Sequence, residues 1–358
     1  MPRPSRSVEI DLAVLEAAPH HSRDLVAHVA GLLGISRTAI AARIRQLLAD
    51  GFLTKEGTTR PSYGLGAKRK AVFIFQRKGL AEDMVWTSRV APLLPVLPRN
   101  IIDIAHYGLT EMVNNAIDHS EGDTVSVVVE IGATMLALGV IDNGVGIFEK
   151  ISAALQLPDK RLALLELSKG KFTTDPRRHS GEGIFFTSRM FDVFRIASGG
   201  LLFNHQAGLR DVILDDVEIN PERGTSVLME IGISSNRKSE DVFAEYSSGP
   251  DEHAFAKTVV PVRMARVGDE NLVSRSQAKR VLQRVHRFRS VIFDFSGVEK
   301  IGQAFADEIF RVFANEHPEM ELIPMHATTE VQQMIRRAEI LRDEDAGQLP
   351  LALINREQ

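Results

Sequence analysis

Asn114, Asn115 and Asp118 stand three, four and seven residues after Glu111 in the stretch His106 to Ser120, HYGLTEMVNNAIDHS. Residues at those intervals share one face of an α-helix. An apolar face would carry Leu, Ile or Val, yet Leu109, Met112, Val113 and Ile117 fall elsewhere and the shared face holds two acids and two amides. An Asn carbonyl is a hard oxygen donor suited to Mg²⁺, which keeps several waters and takes its remaining ligands from substrate phosphates. Glu111, one turn before Asn115, is placed to polarise a water or hydroxyl attacking a terminal phosphate. Taken alone, the same spacing also describes a solvated polar face.

Two later stretches add to it. Leu136 to Ile147, LALGVIDNGVGI, is an apolar run that breaks at Asp142, Asn143, Gly144, Val145 and Gly146. It predicts a buried strand entering a loop that needs positive φ or close backbone approach. Asp142 at the strand end is placed to accept a hydrogen bond from an exocyclic amine such as that of adenine. A bare DxGxG is equally the pattern of a calcium loop or an ordinary turn. His179 to Phe186, HSGEGIFF, is a GxG turn opening an amphipathic helix, whose first-turn N–H groups suit an anion. Gly224-Thr225 then precedes a predicted strand, Ser226 to Ile231.

In order, ExxxN on a helix, DxGxG after a strand, GEG before a helix and Gly-Thr before a strand form a series that resembles the Bergerat-type ATP-binding fold. That fold defines the GHKL superfamily of type II topoisomerases, heat-shock chaperones, sensor histidine kinases and MutL proteins. The resemblance spans roughly Leu94 to Ile233. It implies ATP and Mg²⁺ as cofactors, with Asn115 the metal ligand, Glu111 the general base and Asp142 the adenine reader. It further implies Asn114, Asp118, Gly144, Gly146, Lys171, Gly181, Glu182, Gly183 and Thr225 as nucleotide-site residues. The interval 148–180 would be the lid over the phosphates, offering Lys169, Lys171, Arg177, Arg178 and His179 as cations. No GxxxxGK[ST] P-loop occurs in the chain.

At 358 residues, with 44% hydrophobic and 25% charged content, the composition is globular and calls for two or three domains. No apolar run approaches the ~20 residues of a membrane span. The N-terminal MPRPSRSVEIDL lacks a secretory core, and the chain has no cysteine, so a cytoplasmic protein without membrane contact is expected. The net charge of −4 hides an asymmetry: residues 1–70 carry eleven Lys and Arg against six Asp and Glu, leaving −9 for the remainder. The basic end is the one suited to an anionic partner.

That end predicts three short helices, about 9–18, 23–33 and 37–50, then a strand at Phe52 and a loop back to Tyr63. The pattern resembles a winged helix-turn-helix. By that resemblance Ser36, Arg37, Thr38 and Arg45 face duplex DNA, with Arg60 and Lys68-Arg69-Lys70 near the wing on phosphates. Use of the same fold for protein contact is the alternative. A connector over 71–97, with a strand at Ala71 to Gln76 and Pro98 opening the next helix, leads on to the motif series.

Past the Ser/Gly/Pro-rich joint SSGPDEH, strands at 258–264, 291–295 and 321–325 alternate with helices at 274–288, 304–314 and 329–338. The run VIFDFSGVEKIGQAFADEIF resembles the STAS fold of anti-sigma-factor antagonists, over about 255–345. Phosphorylated STAS proteins carry Ser or Thr in the turn after the central strand, whereas this turn is Ile301-Gly302-Gln303-Ala304. Arg275, Lys279, Arg280, Asp307 and Glu308 read as ordinary polar faces unless an interface uses them.

The expected fold class is multidomain, α+β with α/β: a winged helix over 1–70, a Bergerat α/β sandwich over 71–236 and a βαβαβα STAS-like domain over 250–358. The expected function is an ATP-binding regulator, slowly hydrolysing ATP with Mg²⁺, whose nucleotide state controls DNA or partner binding, with the STAS-like domain serving a protein partner or self-association. Two alternatives stay open: a serine/threonine kinase resembling the anti-sigma-factor kinases, and an ATP-gated clamp resembling MutL or MORC proteins, for example in genome defence.

Overall fold

The computed structural model describes residues 6–354 apart from 67, 95–96, 133, 174–179, 209–211, 215–222, 250–251 and 268–269. These residues form two compact units, 1–147 with 187–239 and 148–186 with 240–358. The mixed α/β chain carries several separate sheets.

The first unit begins with α1 (Arg6–Ala17), α2 (Leu25–Leu33) and α3 (Arg37–Ala49), followed by an antiparallel hairpin of β1 (Leu53–Glu56) and β2 (Ser62–Leu65). Gly34 ends α2 in the left-handed region, and Ser36 caps α3 by accepting the Ala39 N–H at 3.3 Å. Ile10, Val14, Leu25, Val29, Ile40, Ile44 and Leu47 recur at helical spacing and close into one small core. Arg43 clamps α3 to α1 through both oxygens of Asp11, with Nε at 2.8 Å from Oδ1. The Tyr63 N–H donates to the Ser22 carbonyl and ties the hairpin to the α1–α2 turn.

Next comes β3 (Arg69–Gln76), two residues longer than the sequence reading. Its pairing with the following strand starts at Arg69, and Lys70 lies 3.3 Å from Glu130 across the ladder. Arg69 and Lys70 therefore belong to this sheet and not to the wing, because cross-strand pairing captures them. After α4 (Glu82–Val85), Trp86 is buried with its ring 4.6 Å from that of His106. Pro98 is the N-cap of α5 (Arg99–His119), one position earlier than expected.

The path continues through β4 (Thr124–Ile131), β5 (Met135–Asp142), α6 (Ile147–Leu155), α7 (Leu162–Lys169), α8 (Gly183–Met190), β6 (Val193–Ser198), β7 (Leu201–Gln206), β8 (Val212–Leu214) and β9 (Ser226–Gly232). Strands β3 to β9 make one antiparallel sheet, ordered β3-β4-β5-β9-β6-β7-β8 and separate from the β1–β2 hairpin. Alternation along β4, β5 and β9 puts Val127, Leu138, Val140, Val227 and Met229 on a single buried face, and α5 packs on this sheet through Ile104, Leu109, Met112, Val113 and Ala116.

The second unit contains α9 (Ser239–Tyr246), β10 (Ser247–Gly249), β11 (Glu252–Phe255), β12 (Lys257–Pro261), α10 (Arg275–Leu282), β13 (Ser290–Asp294), α11 (Gln303–Asp307), α12 (Ala314–Glu316), β14 (Glu321–Met325) and α13 (Thr329–Ile354). The strands β12, β13 and β14 form a parallel sheet in that order. The helix expected over 274–288 stops at Leu282, because Arg284 adopts φ 66° and a separate turn follows at Val285–Arg287. Arg275 reaches Asp307 at 3.3 Å and Lys279 reaches Glu308 at 3.7 Å, so residues read as independent polar faces pair between helices.

Every residue of α7 is buried, as expected of a helix whose sequence LALLELSK is apolar nearly all round. Lys169 at its end is fully enclosed, with Nζ 2.6 Å from Glu166 Oε1 and donating to the carbonyls of Arg280 and Gln283. It neutralises the last turn of α10 and is no free lid cation. Arg177, Arg178 and His179 lie outside the described residues.

Candidate functional site

The inward row of β5 runs Leu136, Leu138, Val140, Asp142, so a carboxylate occupies the last position of a hydrophobic series. Asp142 is 6% exposed, and its Oδ1 accepts the N–H groups of Gly144 at 2.9 Å and Thr225 at 3.2 Å. Burial pushes its carboxyl above the ordinary range, while the bonds from Gly144 and Thr225 pull the other way. The Thr225 hydroxyl in turn accepts the Ile147 N–H at 3.0 Å. The second and fourth motifs are thus joined through Asp142 and Thr225.

The glycines here are required by space. A Cβ on Gly144 would stand 1.8 Å from the Ser120 carbonyl oxygen, and one on Gly224 would stand 2.0 Å from the Asp142 carbonyl oxygen. Gly146 has φ 96°, with Ser198 Oγ where a side chain would go. Ser120 caps α5 and accepts the Val145 N–H at 2.8 Å, so the helix of the first motif ends on the loop of the second. Arg77 adds a cation at that helix end by donating to the Ile117 carbonyl at 2.9 Å. Ser120, Arg77 and Ser198 escaped the sequence reading because their function is to brace backbone, which leaves no motif.

On α5, Glu111, Asn114, Asn115 and Asp118 are all half-buried. Asn115 Nδ2 is buried without a hydrogen-bond partner among the described residues. A buried polar atom left unpaired costs roughly 1–3 kcal/mol, and a ligand is one way to satisfy it. The hydroxyl of Thr187 on α8 is likewise buried and unpartnered among the described residues, with its methyl against Gly108 of α5. Thr187 sat in the apolar pattern of its helix, where nothing in the sequence marked its hydroxyl.

The third motif belongs to the second unit. Gly181 has φ 73°, and a Cβ there would stand 2.4 Å from the Phe172 carbonyl oxygen. Burial raises the Glu182 carboxyl, opposed by Lys171 and Ser180. Lys171 adopts φ 52°, donates to the Arg287 carbonyl at 3.1 Å and lies over the rings of Phe255 and Phe288. Its position is thereby fixed by aromatic and backbone partners. In the first unit, Ser36, Arg37, Thr38, Arg45 and Arg60 are all exposed.

Residues 277–332 match the STAS-like domain of unknown function (DUF4325). A STAS-like domain is a protein-interaction fold. No curated protein matches the chain. No helix among the described residues is long and apolar enough to cross a membrane.

The Asn115 side-chain oxygen is the donor that would hold Mg²⁺ if a nucleotide were bound. Among the described residues no group of three or more His, Cys, Asp and Glu is arranged to hold a metal. The unpaired Asn115 Nδ2 is a donor suited to a phosphate oxygen, while Gly144, Gly146 and Gly224 let the chain itself pack closely around Asp142.

Proposed function

We propose that the chain is an ATP-binding regulator of the GHKL type, hydrolysing ATP slowly, whose nucleotide state controls binding of duplex DNA or a protein partner. The observation that carries this reading is the join between Asp142, Gly144 and Thr225, which brings the second and fourth motifs together around one buried acceptor flanked by glycines. Asp142 reads the amine of the base, and its buried setting makes a charged acceptor strong and selective. Asn115 holds Mg²⁺, which when bound offsets phosphate charge. Glu111, one turn away, orients and deprotonates the attacking water. Gly181, Glu182 and Gly183 enter the reading as the GEG turn opening α8, and Asn114, Asp118, Gly146 and Lys171 as further nucleotide-site positions.

The three helices and hairpin at the N-terminus support a winged helix, with Arg37, Thr38 and Arg45 exposed on α3, Ser36 exposed at its N-cap and Arg60 in the hairpin loop. The surplus of positive charge over residues 1–70 favours duplex DNA as the anionic partner. The STAS-like domain supplies the protein contact.

The test is ATP turnover by the full chain with and without duplex DNA. Turnover that responds to DNA and is lost in Glu111→Ala supports the regulator. Phosphate transferred stably to a protein, with DNA affinity independent of nucleotide, would replace it with a kinase. That second reading keeps one specific observation in view: the turn after β13 offers no hydroxyl between Ile301 and Ala304, so a kinase would act on a separate acceptor.

A further inference from the structure

The parallel strands β12, β13 and β14 end together at Pro261, Asp294 and Met325. In open α/β sheets, ligands and reacting groups gather outside the carboxyl ends of such strands. There Asp294 Oδ1 accepts two bonds, from the Ser296 N–H at 2.9 Å and from His326 Nδ1 at 3.0 Å. Continued in register, His326 would pair with Phe295 and share its buried face. Instead it turns left-handed with φ 53°, a conformation that costs a residue bearing a Cβ, and its ring reaches Asp294. The next turn is fixed as well, because the Thr328 hydroxyl donates to the Glu299 carbonyl at 2.7 Å and accepts the Val331 N–H at 3.2 Å.

Electrostatics decide which ring nitrogen is reactive. Burial pushes the Asp294 carboxyl up, but the bonds from His326 and Ser296 outweigh it and hold the group below its ordinary range. An ionised carboxylate only accepts, so Nδ1 carries the hydrogen and, in the neutral ring, Nε2 carries the lone pair. The His326 side chain is 61% exposed against 25% for Asp294, so this nitrogen, on the far side of the ring from the acid, is open to solvent. The described residues offer no third ligand that would make the pair a metal site. A carboxylate-oriented, accessible imidazole is a nucleophile. It lies within the matched segment 277–332, whose turn from Ile301 to Ala304 carries no hydroxyl.

We propose that His326 is a phosphorylation site of the STAS-like domain, with Nε2 the attacking atom, Asp294 its positioning residue and a nucleoside triphosphate carried by a second protein the donor. Nε2 attacks the terminal phosphorus, a P–N bond forms, the bridging P–O bond breaks and the nucleoside diphosphate leaves with its electron pair. Asp294 keeps the Nδ1 proton hydrogen-bonded and offsets the positive charge left on the ring. The phosphoryl group adds roughly two negative charges beside the Asp294 carboxylate, a change that a protein partner of this domain can read. The step needs no nucleotide bound by this chain.

The probe is potassium phosphoramidate, a small donor from which ammonia leaves as Nε2 takes the phosphoryl group. The full chain is treated with it and kept from acid, because the P–N bond of phosphohistidine is acid-labile, and labelling of its eleven histidines is followed by peptide mass spectrometry. His326 should label about tenfold faster than His20, which is exposed and has no carboxylate on its ring among the described residues, the scale of one charge-assisted hydrogen bond. In Asp294→Asn the rate at His326 should fall by about that factor, with His20 unchanged and the thermal midpoint near that of the parent. Should that variant fail to fold, the comparison of His326 with His20 in the parent still decides. Labelling of His326 no faster than of His20 overturns the proposal, and so does a rate that Asp294→Asn leaves untouched, which marks the pair as a structural fastening. Asp142→Asn, which tests the ATP reading, should leave this labelling as it is, so the two fail separately.

Discussion

At the scale of residues, the account turns on Asn115 and Asp142, and each makes its own forecast. Asn115 is the only oxygen donor of the first motif argued to reach the metal, so Asn115→Ala should remove the Mg²⁺ dependence of ATP binding. Titration with and without Mg²⁺ checks this, and a dependence that survives places the metal ligand elsewhere. Asp142 was legible in the sequence because the inward alternation of Leu136, Leu138 and Val140 delivers a carboxylate to the core side of a strand end. Its raised pKa was not, because it comes from burial, and the bond from Thr225 that opposes it forms only once residues 83 apart in sequence meet. Ionised Asp142 is the acceptor, so nucleotide affinity should decline as pH falls toward a carboxyl pKa raised above the ordinary value.

At the scale of elements, exposure separates two arginines of α3. Arg45 is exposed, whereas Arg43 is committed to Asp11. Arg45→Ala in the full chain should weaken duplex DNA binding, most at low salt, and leave the thermal midpoint unmoved. Arg43→Ala should lower stability by about 1 kcal/mol through the lost pair and packing. A mobility shift in salt titration and a melting curve check the pair; DNA affinity unchanged by Arg45→Ala would make this a protein-contact module. The helices and strands here were readable from period and caps, as at Ser36 and Gly34. The burial of α7 was not read from the sequence, where 148–180 was expected as a lid, and its role within the second unit depends on Lys169 finding the carbonyls of Arg280 and Gln283.

Lys169 also yields a pH forecast for that element. Burial lowers its pKa from 10.5 to about 8, against the pull of Glu166. Below about pH 8 the ammonium is charged in folded and unfolded chains alike and its burial cost is fully present. As pH rises from about 8 toward 10.5 the folded protein releases the proton while the unfolded chain keeps it, so stability should rise across that window. Thermal melts of the parent against Lys169→Met, which has no such proton, isolate the term. A parent whose advantage shrinks with rising pH would contradict it.

At the scale of the whole molecule, the two units divide the motif series: Glu111, Asn115, Asp142 and Thr225 fall in one, Lys171 and Gly181 to Gly183 in the other. Sequence order could not show that division, because the interval 148–186 joins residues 240–358 only through contacts distant along the chain. If nucleotide state is the signal, Glu111→Ala should bind ATP and fail to hydrolyse it, remaining in the ATP state. DNA affinity should then differ between the ATP-loaded variant and nucleotide-free protein, by the ratio of ATP affinities for the two states. Identical DNA affinities would remove the switch while leaving the ATP site intact.

The most direct test of the central claim is calorimetric titration of the full chain with ATP and Mg²⁺, beside Asp142→Asn. The account predicts affinity in the micromolar range for the parent and a loss of roughly 1.5–3 kcal/mol in the variant, the value of a hydrogen bond to a charged acceptor. Equal affinity in the two proteins, or no binding by the parent, would contradict it.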